Sequence, residues 1–169
     1  MKHLLMLVLA FVASSTLTFA QLGDSDGDEP DTTGDARVRA ALDQLQLQYT
    51  VVSGGKFKMV FELEEGRTQV VLINSQTETT GKFEIREIWS PGYRSDGPLP
   101  RDVANRLLIS SFEQKLGAWQ TMEGESSHTA VFAIKLAANA DAASLRGAIL
   151  ICVNTADTIE KELTNADEF

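Results

Sequence analysis

The chain is poor in the residues that build reactive or metal-holding centres. It has one cysteine, Cys152, and two histidines, His3 and His128. One cysteine cannot close an internal disulfide, and Cys152 lies inside an apolar, helix-like run, where it reads as a small core side chain. One thiol and two imidazoles fall short of a tetrahedral zinc set. Lysine and arginine together number 15 against 24 aspartates and glutamates, a formal charge of −9. With no basic patch, nucleic acid is not an expected partner. The glycines build no phosphate loop ahead of a helix. "SGGK" at 53–56 stands between extended stretches and reads as a hairpin turn. No cofactor is expected, and no internal repeat is visible.

What is present begins with an export signal. In "MKHLLMLVLAFVASSTLTFAQ", Lys2 precedes an apolar run from Leu4 to Ala13, and Thr18-Phe19-Ala20 places small residues at −3 and −1. The pattern predicts a signal peptide over 1–20, cleaved after Ala20, and a periplasmic or secreted protein. The run is shorter than the ~20 apolar residues of a membrane span, so no stable span is expected after cleavage. Residues 21–35 hold Asp24, Asp26, Asp28, Glu29, Asp31 and Asp35 without a single lysine or arginine. That stretch predicts a disordered acidic linker. Its alternating aspartates do not make a calcium loop, because Glu29 and Asp35 occupy the places where glycine and glutamate belong.

From residue 36 the periodicity becomes regular. Val38, Ala41, Leu42 and Leu45 trace a helix capped by Asp35 and ending near Leu47. "YTVV" is a short extended piece before the Gly54-Gly55 turn. "KFKMVFEL", "TQVVLINSQTE" and "FEIREIW" read as three antiparallel strands joined by the turns "EEGR" and "TTGK". "SPGYRSDGPLP", 90–100, reads as a loop. A second helix starts near Pro100, shows Val103, Leu107, Leu108 and Phe112 on one face, and stops on Gly117. "AWQTME" and "HTAVFAIKL" form a hairpin. A long last helix carries the stripe Leu145, Ala148, Ile149, Cys152, Ala156, Ile159 and Leu163, widened by Leu150, Ile151 and Val153. Two explanations of that width stand side by side: a neighbouring helix covers part of it, or a second copy of the chain does. The predicted class is α+β, an antiparallel sheet in the order α-βββ-α-ββ-α with helices packed against it. One domain spans 36–164, and 165–169 form a tail.

The helix "LPRDVANRLLISSFEQKLG" running into "AWQTME", the strand "HTAVFAIKL" and the terminal helix "AASLRGAILICVNTADTIEKEL" resemble the type III secretion chaperone-like fold, and within it the YbjN-like bacterial family. The resemblance covers roughly 36–164 and rests on element order and apolar positions, not on a catalytic fingerprint. It implies helices packed on an antiparallel sheet. In the secretion chaperones such domains dimerise and hold an unfolded stretch of partner. The export signal is a departure, since cytoplasmic effector chaperones carry none.

No nucleophile, base and orienting carboxylate stand together. His128 reads as an exposed turn residue, and Glu62 with Glu64 as solubilising side chains on a strand face. The expectation is an exported, non-enzymatic binding or chaperone-like domain with a protein or peptide partner, and with a homodimer among its possible states. The alternatives are a small exported hydrolase and a structural module of an envelope assembly. Trp89, Tyr93 and Trp119 are the candidate partner-binding residues: Trp89 and Tyr93 flank the 90–100 loop, Trp119 begins a later strand, and exposed parts of them would anchor an apolar peptide. Leu150 and Val153 are the candidate dimer surface. No catalytic, cofactor-binding or metal residues are assigned.

Overall fold

The computed structural model describes residues 33–169. The predicted signal peptide and most of the predicted acidic linker therefore lie outside the described residues. Within them the class is α+β: three helices and one six-stranded, wholly antiparallel sheet. The elements are α1 (Ala36–Gln44), β1 (Thr50–Val52), β2 (Lys56–Glu62), β3 (Thr68–Thr80), β4 (Phe83–Ser95), α2 (Arg101–Glu113), β5 (Ala118–Glu123), β6 (His128–Ala137) and α3 (Ala142–Thr164). Their order in the sheet is β1-β2-β3-β4-β6-β5. The order read from the sequence is roughly matched, with one addition. The extended piece before the glycine turn is a strand in its own right, pairing Val52 with Lys56 and Thr50 with Lys58.

Alternation along the strands decides which face is covered. Phe57 and Met59 of β2, Val71 and Ile73 of β3, Ile88 of β4, and Phe132 and Ile134 of β6 all point to one side. There they meet Leu145, Ala148, Ile149, Cys152 and Val153 of α3, and Val38 and Leu42 of α1. Further along the same face, Val103 and Leu107 of α2 pack with Ala130 and Ile159. All three helices thus share one side of the sheet. Among the described residues no helix packs against the other side.

Two corrections concern the middle of the chain. Residues 90–95 are not loop, because β4 runs on to Ser95, paired with β6 throughout except for a register shift between Pro91 and Tyr93. Proline lacks the N–H a ladder needs, and a bulge is where a strand tolerates it. Gly92, at that shift, lies so close to its neighbours that a Cβ would sit 2.6 Å from the Trp119 ring and 3.0 Å from the Ala156 carbonyl. The second correction is to α2, which ends at Glu113 rather than at the glycine. Gly117 does take a left-handed φ of 88°, but as the entry to β5.

The start of the domain is tied down by charge. Asp35 caps α1, accepting the Arg37 N–H at 2.7 Å. Its carboxylate also meets the guanidinium of Arg86, which is almost fully buried in β4. Arg86 in turn donates to the carbonyls of Asn74 at 2.6 Å and Ser75 at 2.9 Å, where β3 breaks register between Ile73 and Thr77. One buried cation thereby satisfies the backbone of an irregular strand and anchors the helix entry. The last residues of the predicted linker belong to the folded domain.

Candidate functional site

The three aromatic candidates do not form one surface. Trp89 follows the inward Ile88 and so points to the uncovered face of the sheet, half-buried between Leu72 and Ala133, with its Nε1 3.3 Å from Asn74 Oδ1. Tyr93 and Trp119 lie on the helix side, against the cluster of Val103, Leu107, Ala130 and Ile159. Trp119 is held as an internal pin. Its ring meets Phe132 edge-on at 5.6 Å, its Nε1 donates to Ser110 Oγ at 3.1 Å, and its main-chain N–H donates to Ser111 Oγ at 2.9 Å. It fastens α2 to the sheet and is half-buried there. Trp89 and Tyr93 lie within β4 rather than beside a loop, since the strand runs on to Ser95.

The candidate dimer surface on α3 is also corrected. Val153 is 0% exposed, part of the same core as Val38 and Leu42. The wide stripe is wide because α1 lies beside α3 and shares that core, which is the neighbouring-helix explanation. Leu150 is half-buried, and Ile151 is exposed at the margin. His128 is not a turn residue. It opens β6, is half-buried, and its nearest acid is Glu123 at 3.8 Å. Glu62 and Glu64 are exposed, at the end of β2 and in the turn after it.

The surface that does stand out is on α2. Leu108 is 66% exposed, Ile109 56% and Phe112 92%, with Leu116 just past the helix end. Sequence reasoning placed Leu108 and Phe112 inward beside Val103 and Leu107. The helix instead turns Val103, Leu107 and Ser110 to the sheet. Its orientation is fixed from the polar side as well. Arg106 makes a two-pronged contact with Glu162 of α3, at 2.6 and 2.7 Å, which holds the Glu162 carboxyl below its usual range. With Arg106 and Trp119 locking one side, the other faces solvent as an apolar stripe at i, i+1 and i+4. The signal in the sequence was an excess. Val103, Leu107, Leu108, Ile109 and Phe112 are more apolar residues than one face of a 13-residue helix against a sheet edge uses.

A cleft of about 330 Å³ lies between the β2–β3 turn and α3. Four of its charges are paired with one another: Arg67 with Asp157 at 2.6 Å and Lys161 with Glu65 at 2.5 Å. Glu160 beside it is fully buried, and burial raises its pKa even though Arg67 lies 3.0 Å away. Among the described residues no group of three or more His, Cys, Asp and Glu side chains is arranged to hold a metal ion, and no helix is long and apolar enough to cross a membrane. Comparison with known protein families, with curated proteins and with solved structures gave no match.

Proposed function

We propose that this protein is an exported, non-enzymatic binding domain of chaperone-like character that holds an apolar stretch of a protein partner against α2. The observation that carries the reading is the stripe of Leu108, Ile109 and Phe112. Single exposed apolar residues are ordinary on a soluble protein, whereas contiguous ones on a rigid element mark a contact surface. The recognition mode that suits it is helix packing through spaced apolar anchors. Export is supported by the sequence over 1–20. The resemblance to secretion chaperone-like domains, drawn from element order, points to the same class of activity.

The test uses a reduced, alkylated reporter chain that cannot refold. The intact protein is expected to bind it and slow its aggregation, and Phe112→Asp is expected to lose that effect at an unchanged melting temperature. Equal binding by both proteins, or none by the intact chain, would count against the reading.

A second reading, a homodimer through α2, is favoured by one specific feature. A two-fold axis between Leu108 and Ile109 would set these two residues against each other in antiparallel helices, with Phe112 against Asn105. Such an interface is isologous. Light scattering on a sizing column separates the readings, because a dimer shows twice the chain mass and Phe112→Asp returns it to one.

A further inference from the structure

We propose that the free edge of β3 at Thr68–Val70 is a docking slot for an extended acidic peptide, and that residues 165–169 occupy it as a replaceable stand-in. The slot exists because β3 and β4 part company. They pair at Leu72–Trp89 and Ile73–Ile88, but from Val71 back to Thr68 no ladder with β4 continues, while Ser90 and Pro91 stay paired with β6. The Gln69 side chain bridges the gap, donating to Ser90 Oγ at 2.9 Å and to the Pro91 carbonyl at 2.7 Å. The buried Gln69 Oε1 in the same gap accepts no hydrogen bond among the described residues.

In an antiparallel pair, alternate residues turn their N–H and C=O groups away from the partner strand. On β3 these include Thr68 and Val70; the Val70 carbonyl is taken by the Ser90 hydroxyl at 2.6 Å, but no strand pairs the two N–H groups, and an edge of this kind is a template for an added chain. Here it is met by the segment after α3. The Val70 N–H donates to the Phe169 carbonyl at 2.8 Å, and the Thr68 N–H donates to Asp167 Oδ1 at 3.1 Å. Arg67 reaches the Ala166 carbonyl at 2.5 Å, and the Glu168 N–H donates to the buried Glu160 Oε1 at 2.5 Å.

The hydrogen bonds that hold this segment are all polar, and its one large apolar side chain, Phe169, is half-buried outside both apolar cores. None of its side chains enters either apolar core, and Asp167 and Glu168 are exposed. Asn165, left-handed at φ 53°, ends α3 and lets the chain turn into the slot. A segment attached by hydrogen bonds, charge and one half-buried ring outside the cores can leave without opening either core. What it leaves behind is specific: two main-chain donors, the Thr68 hydroxyl, the Arg67 guanidinium and a buried carboxylate acceptor. These suit a strand that offers an acidic side chain opposite Thr68 and a main-chain carbonyl two residues further on. Strand addition of this kind draws affinity from the backbone and selectivity from the side chain. The slot does not depend on the α2 reading, since β4 and β6 separate it from β5, against which α2 packs.

The experiment opens the slot in the full chain with Asp167→Ala and Glu168→Pro together, which removes the contact to Thr68 and the N–H given to Glu160. The probe is the fluorescein-labelled peptide Asn-Ala-Asp-Glu-Phe, followed by anisotropy, with hydrogen exchange read at Thr68 and Val70. The expected result is faster exchange at both amides, binding at least tenfold tighter than to the intact chain, protection restored by the peptide, and at least tenfold weaker binding of Asn-Ala-Ala-Glu-Phe. If the amides stay protected, or open without binding the peptide, or the alanine peptide binds equally, the segment is a fixed part of the fold and the proposal falls. Should the double variant not fold, the milder Asp167→Asn chain is subjected to the same comparisons with the same criteria. Phe112→Asp is expected to leave peptide binding unchanged, so failure here and failure of the α2 reading are told apart.

Discussion

Asp35 does two jobs with one carboxylate. It caps α1 and neutralises Arg86, and bonding to Arg37 followed by Arg86 holds its carboxyl well below the usual range. A carboxyl with a lowered folded pKa contributes stability that is full above its unfolded value and is lost as pH falls through the folded one. Asp35→Asn keeps the capping oxygen but leaves the buried guanidinium without its countercharge. It is expected to cost about 3 kcal/mol in urea unfolding at neutral pH, the scale for breaking a buried pair, and to flatten the loss of stability on the acid side. Cys152 offers a second test at this scale. Its thiol is fully buried, donates to the Phe132 carbonyl at 3.1 Å, and burial pushes its pKa up to about 12. Thiolate is the reactive form. The native protein is therefore expected to resist alkylation and the urea-unfolded protein to react at once, as mass spectrometry would show. Labelling of the native chain at the unfolded rate would contradict the placement of α3.

The helices divide the labour, and substitutions on them should divide too. Ile149 is fully buried on α3, and Ile149→Ala is expected to cost ~2–5 kcal/mol in thermal or urea unfolding. Val153→Asp places a charge in the same sealed core and is expected to prevent folding outright, whereas Leu150→Asp, at the half-buried margin, should fold. A well-folded Val153→Asp monomer would mean that α1 does not lie beside α3 in solution. On α2 the contrast runs the other way. Phe112 is 92% exposed, so Phe112→Asp should change stability by no more than ~0.5 kcal/mol while removing partner binding. Helical periodicity found both helices. It could not say which way α2 faces, because an amphipathic pattern with surplus apolar residues has more than one face to offer, and only Arg106, Ser110 and Trp119 choose between them.

Across the whole molecule, Glu160 links α3, the β2–β3 turn and the segment at 165–169 through Arg67 and the Glu168 N–H. Its pKa is raised, chiefly by burial. An acid of this kind contributes stability that is full below its unfolded value of 4.5 and is lost as pH rises through the folded one. Glu160→Gln should therefore remove a downward slope of stability above pH 4.5, measured by urea unfolding across a pH series, while Arg67 keeps its contact with Asp157. By itself the sequence determined the class, the strands with period-two alternation, and the helices with the cap at Asp35, because those features depend on neighbours a few residues away. It also determined that Cys152 is a core residue, from the apolar run around it. The tertiary structure alone decided the rest. Pro91 and Gly92 read as loop because their chemistry breaks ladders, yet β6 and the Trp119 ring make that bulge part of a strand. Val153 reads as a margin because one helix on one sheet would leave it outside, yet it is sealed in the core that α1, more than a hundred residues earlier, shares with α3. The split between β3 and β4, with the segment laid into it, comes from contacts between residues nearly a hundred positions apart, and no local pattern records the meeting of such distant parts of a chain.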